Sequence, residues 1–283
     1  MFDLEQVSEN VWAHTKGETR GNVAFIRLKQ SGIMVDTGMD PKTAKIARDA
    51  AEKEMEVPIK YLVITHHHGD HVFGNQVLED CEIISSKDMK EIMEEQVSTT
   101  WTKEKLEERM EQVPEFKDKW DDLRFVLPTT TFEGEYTIEE EGVKVEIVQT
   151  NGHTRGSSYL YIPNDNIVIT GDLLFAETFP YGGDPSVDPY LWIDAYTQMI
   201  YLNPVKVVPG HGPITFKEEL EIQQKYLEML VKKIEDLVVD GLTKEEVLER
   251  TDFPEFPYEV DPNRLKSMLE RCFDVIKEAV ESY

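Results

Sequence analysis

The chain has 283 residues, 56 acidic against 30 basic side chains, and a formal net charge of −26. Such a surface repels phosphate backbones, which counts against nucleic acid as a partner. No run of about 20 apolar residues and no signal-like N-terminal segment occurs, and the two cysteines, Cys81 and Cys272, lie far apart. These features predict no membrane partner and a cytoplasmic protein with reduced thiols.

In chain order, residues 11–14 and 22–28 read as antiparallel strands around a turn at 16–19, with His14 an ordinary structural histidine. A short strand at 33–35 ends at Asp36-Thr37-Gly38. Residues 41–56 are amphipathic, with Ala44, Ile46, Ala47, Ala50 and Ala51 as a small-residue face, and Pro58 stops the helix. Residues 61–64 are too short and too apolar for a surface helix and predict a buried strand. Residues 65–71 would be the loop leaving that strand's C-terminal end, where open α/β sheets place ligands.

That loop reads Thr65-His66-His67-His68-Gly69-Asp70-His71. His66 and His68, two apart, project to the same side and can reach one metal ion at about 2.0–2.2 Å. Gly69 lets the backbone turn, so Asp70 and His71 can serve a second ion. His67 points away and is expected to pack or hydrogen-bond.

A helix at 72–78 and a strand at 81–84 follow. Residues 86–125 form a longer connection, helical at 87–96 and 103–113, with Met89, Ile92, Met93, Leu106 and Met110 as the apolar stripe. It reads as a helical lid, a homodimer contact or an inert helical pair. Val143, Val145 and Ile147 alternate before Gly152-His153-Thr154. A strand at 158–162 is followed by another ending in Gly171-Asp172. Residues 173–185 are aromatic, glycine-rich and irregular, and Phe179, Tyr181 and Tyr190 are candidate walls of a substrate pocket. Trp192 is expected to cap the core at the start of a helix reaching residue 201. A third apolar strand, 205–208, precedes Pro209-Gly210-His211-Gly212. Five of the seven histidines therefore sit at strand ends beside glycine or carboxylate. Beyond 213 the pattern is helical, at 216–239, in a short helix opened by a Thr243 capping box, and at 263–280.

The signature His66, His68, Asp70, His71, followed by His153, Asp172 and His211, resembles the metallo-β-lactamase superfamily of metallohydrolases over roughly residues 10–215. The resemblance implies an α/β protein: an αββα sandwich as a catalytic domain (1–215) with a helical insertion (about 86–125) and a helical C-terminal extension (216–283). It implies His66, His68 and His153 on one metal, Asp70, His71 and His211 on another, and Asp172 bridging them. Asp36 would support the loop through hydrogen bonds. Two divalent ions, zinc first with iron or manganese as alternatives, would share a hydroxide that attacks an ester, thioester, lactone or related carbonyl of a small molecule. Asp70 is also the expected proton shuttle. Asp172 argues against a dedicated β-lactamase, so the resemblance is to the glyoxalase II-like or lactonase-like branch. However, Phe175-Ala176-Glu177-Thr178-Phe179 departs from the glyoxalase II pattern. The alternatives are a mononuclear iron persulfide dioxygenase on the same scaffold, a phosphodiesterase, and a binding module without catalysis.

Overall fold

The computed structural model describes residues 2–282. The first half of the chain builds one sheet. Strands β1 (Glu5–Gln6), β2 (Val11–His14), β3 (Val23–Arg27) and β4 (Gly32–Val35) run antiparallel in sequence order. Helix α1 (Pro41–Met55) then crosses back, so that β5 (Ile59–Val63) pairs parallel to β4. The helix is started by Asp40, which accepts a hydrogen bond from the Thr43 amide, and by Pro41 at its first position. Ala44, Ala47 and Ala51 lie buried along its inner face, whereas Ile46, expected on that face, is 54% exposed.

The short helix α2 (Gly69–Val72) and a 3₁₀ turn (Asn75–Leu78) lead to β6 (Glu82–Ser86), parallel to β5. Helices α3 (Lys87–Thr99), α4 (Lys103–Gln112) and α5 (Phe116–Lys119) make the insertion before β7 (Thr130–Phe132) completes the sheet. The second sheet holds β8 (Glu135–Glu140), β9 (Val143–Gln149), β10 (Ser158–Ile162) and β11 (Ile167–Phe175), all antiparallel. Helix α6 (Pro189–Tyr201) precedes β12 (Lys206–His211), which pairs parallel to β11 at the sheet edge. The chain finishes in α7 (Lys217–Val239), α8 (Lys244–Leu248) and α9 (Pro262–Glu281). Gly241 follows the end of α7 at φ +84°, and Thr243 and Glu246 form the reciprocal capping box of α8.

Alternation along the strands sorts side chains into three apolar layers. Ala24, Ile26, Val35, Val63 and Ile84 face Val145, Ile147, Leu160, Ile169 and Val208 across the gap between the sheets. Phe25, Met34, Leu62 and Ile83 point the other way, against α1 and α3. Val168 and Val207 pack outward against α6, α7 and α9. The result is an αββα sandwich. The C-terminal ends of β4, β5 and β11 and the end of β12 meet at one edge, and the Ser158 amide donates to the Thr65 carbonyl at 2.9 Å, tying the sheets together there.

Two local departures bear on this edge. The strand carrying Asp172 does not stop at it. β11 continues to Phe175 with register shifts against β12, so residues 173–175 are strand rather than loop. Gly69 has no left-handed backbone; it opens α2, and a Cβ there would lie 2.9 Å from the Phe73 ring. Close packing, not a sharp turn, demands glycine at this position.

Candidate metal centre

Four segments deliver seven candidate metal-ligand side chains to the edge. His66, His68, Asp70 and His71 leave β5, His153 comes from the β9–β10 loop, Asp172 from within β11 and His211 from the end of β12. His68 Nδ1 and His153 Nε2 lie 3.2 Å apart. His66 Nε2 and His153 Nε2 approach Asp172 Oδ2 at 3.5 and 3.6 Å. On the other side of Asp172, His71 Nε2 is 3.1 Å from its Oδ1 and His211 Nε2 is 3.3 Å from its Oδ2. Asp70 Oδ2 stands 3.3 Å from His211 Nε2 and 3.9 Å from His71 Nε2.

These separations fit a coordination shell. Two donors at about 2.1 Å from one ion in tetrahedral arrangement stand about 3.4 Å apart. The chemistry of the facing atoms agrees. His66 Nε2, His71 Nε2 and Asp172 Oδ1 are buried with no hydrogen-bond partner of proper geometry, a cost that a bound cation would remove. His66, His68, His153 and Asp172 form one compact set of ligand atoms, and Asp70, His71 and His211 another.

A hydrogen-bond relay sets which nitrogen each imidazole turns inward. The Thr65 hydroxyl donates to Asp36 Oδ2 at 2.7 Å and lies 3.1 Å from His66 Nδ1. Asp36 Oδ2 accepts from His71 Nδ1 at 2.8 Å. With Nδ1 holding the proton, each Nε2 keeps its lone pair for a metal. Asp36 Oδ1 takes the Thr65 amide at 2.8 Å, fixing the loop backbone.

Asp184 plays the same part for His68, and nothing in the sequence analysis singled it out. Its Oδ2 lies 3.1 Å from His68 Nε2 and 3.2 Å from His67 Nε2, so His68 presents Nδ1 inward. Its Oδ1 accepts from the Ser186 amide at 2.8 Å. An Asp-Pro-Ser turn is the only local signal for such a residue. His67 is thus hydrogen-bonded and directed away from the cluster. His14 is buried in β2, with its Nδ1 2.7 Å from the Asp3 carbonyl.

Electrostatics divide the two sets. Burial lowers the His66 pKa to about 4, with the neighbouring His71 charge adding to it, and holds His153 well below the ordinary histidine value. Burial also opposes charge on His71 and His211, but the carboxylates around them win. Asp172, Asp36 and Asp70 raise His71 well above its ordinary value, and Asp172 and Asp70 bring His211 to about 9. Burial pushes Asp70 and Asp172 upward, yet the imidazoles beside them hold both low. The carboxylates thus favour positive charge at the positions of His71 and His211, which a bound cation would supply. His68, Asp70 and His211 are half-buried while the other four are closed off, so the cluster opens to solvent on one side, as a catalytic metal site requires.

Of the expected pocket residues, the structure brings one to the cluster. The Tyr181 ring lies 5.9 Å from His68 and 6.4 Å from His153, and the residue is 37% exposed. Phe179 is buried in the core instead, edge-on to Tyr226 and Phe256, because apolar surface is better satisfied there than at a polar rim. The Tyr190 hydroxyl donates to Glu235 of α7 at 2.8 Å, away from the imidazoles. Phe175, not among the expected pocket residues, stacks on His211 at 5.1 Å and 5°. Trp192 closes the cluster's floor, 5.2 Å from His153, with its indole N–H donating to the Leu173 carbonyl.

A family model described as the metallo-beta-lactamase superfamily matches residues 17–211. The chain is 25% identical over 207 residues to a beta-lactamase-like protein 2 homolog of Caenorhabditis elegans, covering 73% of this chain and 60% of that one. It is 24% identical over 261 residues to a linear primary-alkylsulfatase of Pseudomonas sp., covering 81% of this chain and 49% of that one. It thus spans about half to three fifths of the length of these relatives. Among solved structures, a metallo-beta-lactamase from Pontibacter korlensis superposes with a TM-score of 0.63 at 19% identity, over 81% of this chain and 99% of that one. At that identity the likeness concerns the fold.

Proposed function

The chain belongs to the metallo-beta-lactamase superfamily, and from that premise we propose that it is a dinuclear metal-dependent hydrolase of an ester, thioester, lactone or related carbonyl substrate. The observation that carries the proposal is the pair of donor sets meeting at one carboxylate, with orphaned imidazole nitrogens facing inward. His66, His68 and His153 would hold one divalent ion, and Asp70, His71 and His211 the other. Asp172 would span both, with Oδ1 turned to His71 and Oδ2 to His66, His153 and His211. Zinc suits this nitrogen and oxygen set best.

When bound, such ions supply a water acidic enough to be a nucleophile near neutral pH and polarise the substrate oxygen. The protein's own residues do the rest. Asp36 and Asp184 hold three of the imidazoles in one tautomer and orientation, so no reorganisation is needed as charge develops. Asp70, on the open side of the cluster, is placed to take the proton released on attack and pass it to the leaving group. Tyr181, half-exposed beside His68, is the group best placed to meet the body of a substrate. The likeness to a linear primary-alkylsulfatase extends the range of esters worth assaying to sulfate monoesters.

The test is a panel of carbonyl esters, thioesters, lactones, phosphodiesters and alkyl sulfates, assayed with zinc-loaded protein and with Asp172→Ala. Turnover of a carbonyl substrate, lost in Asp172→Ala, is the expected result. Full activity of Asp172→Ala with two bound metals would overturn the role of Asp172. A phosphodiester or alkyl sulfate as the only substrate would overturn the assigned class.

A further inference from the structure

The helical insertion lines a solvent-open cavity that the metal centre does not use. Helix α4 contributes no buried residue to the protein. Its apolar stripe, Leu106 and Met110, is only half-buried. Beneath it lies a cavity of about 750 Å³ whose apolar wall is Trp101, Trp120, Leu123 and Phe125. That volume falls in the range of pockets that bury a drug-sized ligand, about 300–1,000 Å³.

The aromatic wall is rigid. Trp101 stacks on Phe125 at 4.8 Å and 25°, and Trp120 stacks on Phe116 at 4.0 Å and 6°. Trp101, Trp120 and Phe125 all rest edge-on against Phe73, at 5.3, 5.4 and 5.3 Å. Phe73 directly follows α2, which carries Asp70 and His71. The Trp120 indole donates to the Met39 carbonyl, so its ring cannot turn to fill the space. A preformed wall of this kind loses little entropy on binding.

The rim selects by charge. Lys103 and Lys117 stand against Glu107, Glu111 and Asp121, on a chain of net charge −26. An anion would meet repulsion, and the rim's own lysines work against a cation. We propose that the cavity under α4 is a binding site for an uncharged aromatic small molecule, held between the tryptophan and phenylalanine faces and the Leu106–Met110 stripe. The site is separate from the metal ligands and does not depend on the chemistry assigned to them.

The test uses the full-length, zinc-loaded protein and the uncharged fluorophore N-phenyl-1-naphthylamine. Trp101 and Trp120 should transfer excitation to a probe bound beside them. The expected result is saturable binding of one probe per chain. Leu106→Asp, which sets a charge in the cavity, and Met110→Trp, which fills it, should each weaken binding about tenfold or more. Because α4 has no fully buried residue and Leu106 and Met110 are only half-buried, both variants should keep wild-type circular dichroism and metal content. If one fails to fold, the other decides. The anionic analogue 1-anilinonaphthalene-8-sulfonate should bind about tenfold more weakly. Non-saturating uptake, or binding unchanged in the folded variants, would overturn the site. Equal affinity for the anion would overturn the ligand class.

Discussion

Asp36 adopts φ +58°, a left-handed conformation that side chains other than Gly, Asn and Asp rarely take. It sits there because both of its oxygens are used, one by the Thr65 amide and the other by the Thr65 hydroxyl and His71. Asparagine tolerates the same backbone but replaces one acceptor with a donor. Asp36→Asn should therefore keep the fold and weaken metal binding about 10- to 100-fold, read by competition with a chelating dye. Unchanged affinity would show that the relay orients nothing. The cluster of candidate ligands was legible in the sequence because four of its seven residues fall within six positions, and the fold gathers the other three beside them. Asp184 was not, because its partner His68 is 116 residues away and only the folded chain joins them. Phe179 and Tyr190 were judged by type alone, and type does not say which way a ring turns. Away from the centre, burial pushes the Cys272 thiol from its ordinary 9.0 up to about 12. The folded state thus favours the neutral thiol. Its contribution to stability is complete below about pH 9 and is lost as the pH rises toward 12. Native protein at pH 8 should leave Cys272 unreacted with a disulfide reagent, whereas denatured protein should react at both cysteines. Prompt reaction of both in the native state would contradict this.

At the scale of elements, the edge of the sandwich is packed so closely that backbone meets ligand. A Cβ on Gly210, in β12, would lie 2.0 Å from Asp172 Oδ1 and 2.5 Å from the Gly171 carbonyl carbon. Neither neighbour can retreat without moving β11. Gly210→Ala should cost on the order of 3 kcal/mol and displace Asp172 from both donor sets. Gly134→Ala, at φ +74° in open space, should cost only about 1 kcal/mol and leave metal content unchanged. Urea denaturation with metal analysis checks the pair, and equal effects would contradict the packing account. Elements with a clear period were legible: the alternation of Val143, Val145 and Ile147 lies in β9, β10 matches its expected bounds, and α1 and α9 fall within one residue of theirs. The strands β1, β7 and β8 were not anticipated. They are short or rich in glutamate, and Ile138 is the one buried residue of β8. Their pairing comes from neighbouring strands rather than from their own pattern.

Across the whole molecule, the C-terminal helices do not stand apart from the sandwich. Tyr226, Leu230, Met268 and Phe273 share one apolar cluster with Phe175, Phe179, Trp192 and Tyr196. Arg264 and Arg271 of α9 donate to the Phe179 and Val187 carbonyls on either side of the loop that holds Tyr181 and Asp184. A chain ending at residue 215 would expose that cluster. It should be insoluble or lack a cooperative thermal transition, and a stable, metal-binding 1–215 fragment would contradict this. Among the described residues no helix is long and apolar enough to cross a membrane.

Both donor sets and their shared carboxylate come together in one quantity, the metal content per chain of protein purified without added metal. Measured by mass spectrometry, two divalent ions per chain, with at least one lost in Asp172→Ala, is the predicted result. One iron per chain with the Asp70–His71–His211 set empty would contradict the dinuclear hydrolase and point to oxygen chemistry at a single metal instead.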